Sequence, residues 1–142
     1  MPSGPRLEIY DFETAIKRYR SIIAKLRNGE KALRFLDHVA SLGLSKASLA
    51  KYAGHLITLL RVIDFDLEGA TRKDVERVVA WINSQPFKEW TKRDKKLVLK
   101  KIIQYAKLGS CDRDAAYPPE VSWIKRREHG KDARVTPEAL LS

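Results

Sequence analysis

The apolar residues of this chain recur at steps of three and four, segment after segment, and no stretch sustains period-two alternation. That rhythm restricts the fold more than any other feature: it predicts a helical protein without a sheet. Gly and Pro stand at the edges of the periodic stretches, not inside them. Five helices are expected. The first runs from about Asp11, read as its N-cap, to Arg27, with Asn28-Gly29 as the stop. The second runs from Glu30 to Leu42 and ends at Gly43. The third opens at Ser45 and continues to Ile63 along a seam of Leu49, Ala53, Leu56, Leu60 and Ile63. The fourth opens on Thr71-Arg-Lys-Asp74, a capping box with Asp in place of Glu, and runs to Asn83. The fifth opens on a near-copy, Thr91-Lys-Arg-Asp94, and runs to Leu108 before Gly109.

After Gly109 the texture changes. Tyr117-Pro118-Pro119 forbids helix, and Glu120 to Lys125 has room for one short turn that packs Trp123. The expected domains are a flexible N-terminus over 1–10, a helical domain over 11–108, and a linker over 109–134. Residues 135–142 read as the start of a further domain, with Thr136 as a cap and Pro137 at the first helical position.

Charge narrows the function. The 142 residues hold 28 Lys+Arg against 18 Asp+Glu, a surplus of +10, which favours a polyanionic partner. The surplus is concentrated. Residues 91–107 contain Lys92, Arg93, Lys95, Lys96, Lys100, Lys101 and Lys107 with one acid, Asp94. Four of these cations are expected in the first turn of the fifth helix, where the helix dipole disfavours them unless a phosphate is bound. A solvated lysine-rich face would give the same composition. On the third helix Ser48, Lys51, His55 and Thr58 form a polar stripe opposite the seam, with Tyr52 at its edge. Short donors and acceptors of this kind suit a DNA major groove, and they also suit an ordinary polar face.

Catalytic chemistry finds no foothold. The carboxylates of Asp64, Asp66 and Glu68 alternate, but the segment lacks the Gly and terminal Glu of a calcium loop and reads as a solvated connection. His38, His55 and His129 have no acid or cysteine at ligand or triad spacing. Cys111 is the single cysteine, which leaves no internal disulfide and fits a reducing cytoplasm. No cofactor or metal is expected. No apolar run reaches the ~20 residues of a membrane span.

Residues 30–108 resemble the N-terminal core-binding domain of tyrosine recombinases, the phage-integrase and Xer-type family. The features occur in order. An apolar helix, Arg34 to Gly43, precedes Leu44-Ser-Lys-Ala-Ser-Leu-Ala-Lys-Tyr52, which matches the family's L-(S/T)-x-x-(S/T)-(L/I)-x-x-Y opening. Glu68 to Glu76 resembles the approach to its third helix, and Thr91 to Tyr105 its fourth. Tyr117 to Lys125 stands where the interdomain linker would be, and Val135 to Ser142 where the catalytic domain would begin. The helix from Asp11 to Arg27 lies outside this pattern. The resemblance implies an all-α, SAM-like bundle of four to five helices that grips duplex DNA at a recombination site. It implies DNA contacts from Lys46, Ser48, Lys51, Tyr52 and His55, and from Thr91, Lys92, Arg93, Lys95, Lys96 and Lys100. It further implies a prokaryotic or viral origin, a missing catalytic half, and partner protomers in a DNA-bound tetramer. The family's nucleophilic Tyr and His-x-x-Arg belong to that missing half, which would form a 3′-phosphotyrosyl intermediate. No His here has Arg at the third following position, so the chain is expected to bind and not to cleave. Four to six neutralised phosphates would give a slope of log K on log salt of roughly −4 to −5. A dimeric helical regulator and a basic protein-interaction module remain the alternatives.

Overall fold

A computed structural model describes residues 4–125, with side chains from Asp11 onward. The expected linker beyond Lys125 and the start of a catalytic domain at 135–142 lie outside the described residues. The order is α1 (Gly4–Ile23), α2 (Gly29–Ser41), α3 (Lys46–Val62), a 3₁₀ turn (Leu67–Gly69), α4 (Arg72–Ser84), α5 (Glu89–Leu108) and the one-turn α6 (Pro119–Ser122). No strand occurs among these residues, and no helix is long and apolar enough to cross a membrane.

α3 is the central element. It lies against α1, α2 and α5 and buries Ala53, Leu56, Ile57, Leu59 and Leu60. Gly54 on its α1 side stands 3.8 Å, measured from where a Cβ would be, from the Tyr19 ring. Phe35 of α2 is fully buried between Tyr52 and Tyr105, its ring 6.2 Å from the first and 5.9 Å from the second. Val98, Leu99, Ile102 and Ile103 of α5 close the core with Val75, Val78 and Ile82 of α4.

The local signals at Ser45, Thr71, Gly43 and Gly109 act as the sequence predicts. Ser45 caps α3 through the Ser48 amide, and Thr71 and Asp74 form the full capping box of α4. The Thr71 backbone N–H holds the Asp74 carboxyl below its ordinary range. Gly43 and Gly109 take positive φ beyond the ends of α2 and α5.

Three boundaries differ from expectation. The backbone is already helical at Gly4, so Asp11 lies inside α1 and is not its N-cap. α1 also ends at Ile23, four residues before Arg27. α5 starts at Glu89 with Lys88 at the N-cap, so Thr91 sits within the first turn. The ring contact of Trp81 with Phe87, 6.1 Å, anchors the chain ahead of this start. Segment 110–125 is no linker. Cys111, Val121 and Ile124 are buried, Gln104 donates to the carbonyls of Ala115 and Ala116, and the Cys111 amide donates to His38 Nε2 at 3.1 Å. The Trp123 indole donates to the Glu120 carbonyl and lies under the Arg72 guanidinium at 4.9 Å.

The turn between α1 and α2 joins the bundle to the acidic loop. Asn28 takes φ 67° and its amide spans two strangers: Nδ2 donates to the Phe65 carbonyl at 2.9 Å, and Oδ1 accepts from the Leu67 amide at 3.2 Å. Arg27 and Arg77 pair with Asp66 and Asp64, and Lys31 pairs with Glu68. The carboxylates of this loop are therefore engaged by the turn between α1 and α2, by α2 and by α4. Gly29 next door has no room for a side chain. A Cβ there would lie 2.0 Å from the Ile23 carbonyl oxygen, a backbone atom. Gly29→Ala is expected to destabilise the fold by about 3 kcal/mol, because backbone must move to admit it. Urea unfolding followed by circular dichroism reads this directly, as a lower midpoint at unchanged slope.

Candidate nucleic-acid interface

α3 and α5 pack side by side, and this brings the two polar segments of the sequence together. Ser48, Lys51, Tyr52 and His55 of α3 face Asp94, Leu97 and Val98 of α5 across an open cleft of about 250 Å³, with Leu44 at one end. Leu44 and Tyr52 also border a second groove of about 480 Å³, lined further by Lys101 of α5 and by Asp112, Arg113 and Asp114 of the following loop. The two hollows thus share a wall and form one continuous surface.

The basic residues divide sharply on this framework. Lys95, Lys96 and Lys100 are buried, with 5%, 8% and 8% of their surface exposed. Their aliphatic stems are apolar enough to extend the α5 seam, and the nitrogens of Lys95 and Lys100 find partners inside. Lys95 Nζ lies 3.0 Å from His55 Nδ1 and 5.0 Å over the Phe87 ring. Lys100 Nζ donates to the Ile124 carbonyl at 2.9 Å and sits 4.3 Å over the Tyr117 ring. These residues hold the fold and do not stand at its surface, contrary to their expected place on a DNA-facing flank. Lys92 donates to the Asn83 carbonyl at 2.9 Å, and Lys107 to the Glu68 carbonyl. Thr91 is half-buried. Lys46 is exposed but paired with Glu13 of α1, whose carboxyl it pulls below the usual range. No crowd of cations occupies the first turn of α5. Glu89 stands there, and the basic run begins later.

Two expected cations remain open. Lys51 and Arg93 are exposed and make no hydrogen bond or ion pair among the described residues. Arg93 stands one turn before Leu97 of the cleft wall, and Lys101 one turn after it. The sequence reading missed Lys101 and Arg113 as site residues. The i, i+4, i+8 series Arg93-Leu97-Lys101 was available as a signal for the first. Arg113 lies in a loop, where spacing gives no direction.

His55 is the most perturbed group of the surface. Burial chiefly, and then the Lys95 charge, pull its pKa from 6.5 down to about 4, with Lys51 adding to this and Asp94 opposing it. The imidazole is therefore neutral at pH 7. The sign of the resulting pH dependence follows. Between pH 6.5 and about 4 the unfolded chain takes up a proton on this ring that the folded chain refuses, so stability falls as pH falls through that window. Because the ring is only half-buried, solvent screening reduces the effect to about 1–2 kcal/mol. Thermal melts at pH 7 and pH 4.5 are expected to differ more for the native chain than for His55→Gln.

Comparison with known protein families, with characterised proteins and with solved structures yields no match to this chain.

Proposed function

We propose that the chain is a duplex-DNA-binding module, corresponding to the SAM-like core-binding domain of a site-specific tyrosine recombinase. The observation that carries the reading is the convergence of the α3 polar stripe and the open cations Lys51, Arg93, Lys101 and Arg113 on one continuous surface. Cations spread along a hollowed face match a row of phosphates better than one small anion. Hydrogen-bonding side chains lie between them, where base edges would come. The ordered motifs from Arg34 to Tyr105 support the finer assignment. On this reading the chain grips the recombination site.

The same surface revises the expected salt dependence. With the lysines of α5 largely occupied, the phosphate contacts of Arg93, Lys101 and Arg113 remain, at about 0.9 counterions each, so log K should fall with log salt at a slope of about −2 to −3. Fluorescence anisotropy of a labelled duplex, titrated from about 50 to 300 mM salt, measures it. A slope near zero would contradict the proposal. Tight binding by a sedimenting dimer would favour a regulator instead.

A further inference from the structure

We infer that the cleft between α3 and α5 reads the major-groove edge of a G·C base pair, with Lys51 and His55 donating to guanine and Asp94 accepting from cytosine. This rests on the proposed duplex binding and adds which base pair the duplex must present.

The geometry begins at Lys95. An ammonium has donors only, so the nitrogen 3.0 Å from it, His55 Nδ1, accepts. The neutral ring then carries its proton on Nε2, and no described residue takes a hydrogen bond from that atom. Lys95 is itself fixed, buried and seated over Phe87. It is a positioning residue that sets the tautomer of the imidazole lining the cleft. Lys51, one turn earlier on α3, places a second unpaired donor on the same wall.

Two neighbouring donors select among the bases. Guanine shows N7 and O6 side by side as acceptors, whereas adenine sets a donor beside its N7 and thymine a methyl beside its O4. The opposite wall completes the match. Asp94 takes no hydrogen bond from a described residue, and a carboxylate accepts from the cytosine amino group. The same carboxylate repels phosphate, so the cleft suits a base edge while Arg93 and Lys101 on the rim suit the backbone.

The test exposes the full chain to a random-sequence duplex pool at low salt and sequences what is retained. A G·C pair should be enriched about tenfold at one position. His55→Ala should abolish that preference. Nitrogen-15 correlation spectra of the native chain supply a readout that needs no variant: His55 should carry its proton on Nε2, and Lys95→Met should mix the tautomers. A pool enriched without G·C, a preference that survives His55→Ala, or an Nδ1-protonated ring would overturn the inference and leave duplex binding standing. Failure of the starting pool to bind at all would remove both.

Discussion

Reversing Arg93 and Arg113 together, as Arg93→Glu with Arg113→Glu, is expected to lower duplex affinity about a hundredfold at ~0.1 M salt. Each phosphate contact releases about 0.9 counterion, which at that concentration is worth close to tenfold, and the introduced acids add repulsion. The slope of log K on log salt should shrink by about two. Both side chains are exposed and make no ion pair among the described residues, so the fold should tolerate the change. Lys92→Glu with Lys96→Glu makes a poor substitute. Lys92 is tied to the Asn83 carbonyl and Lys96 is buried, so that pair would damage the bundle and lose binding for the wrong reason. Equal affinity of the Arg93/Arg113 double variant and the native chain would remove these residues from the interface.

The second large effect lies beneath the site. Phe35→Ala is expected to destabilise the fold by about 3–5 kcal/mol, lowering the thermal midpoint by about 10–15 °C. Its ring is fully buried and packs against two aromatic neighbours, stacking on Tyr52 with an interplanar angle of 10° and tilting against Tyr105. The cavity would open directly under Tyr52, which borders both hollows of the surface. Phe35→Leu keeps most of the volume and should lose about a third as much. Calorimetric melts of the two variants separate these outcomes. A loss below about 1 kcal/mol for Phe35→Ala would show that the aromatic stack contributes little.

How far the sequence could be read depends on where the information sits. Helix starts at Ser45 and Thr71 and stops at Gly43 and Gly109 were legible because each is decided within one turn of chain. Thr91 carries the same T-x-x-D signal as Thr71 and yet caps nothing. Lys88, Glu89 and Trp90 continue into helix without obstruction, and the Phe87 contact with Trp81 sets the boundary ahead of them. The polar stripe of α3 was visible from its period, and so was the basic character of α5. The fate of the individual lysines was not. Lys95 meets a histidine 40 positions away, and Lys100 meets a carbonyl 24 positions away. Helical spacing gives the side of the helix on which a lysine leaves but not which distant element covers it. A count of charge on α5 therefore overstated the part of it that faces outward. Segment 110–125 was misjudged for a related reason: its apolar residues are sparse, but Val121 and Ile124 meet a helix surface already prepared by Lys100 and Gln104.

Whether one face, built from α3 and α5, meets duplex DNA is read from backbone amide spectra of the isotope-labelled chain, recorded while an unlabelled duplex is added at low salt. Shifts should concentrate at Ser48 to His55, at Arg93 to Lys101 and around Arg113, and added salt should reverse them. Shifts centred instead on Asp64 to Glu68 and α4, or none at all at saturating duplex, would contradict binding at this face.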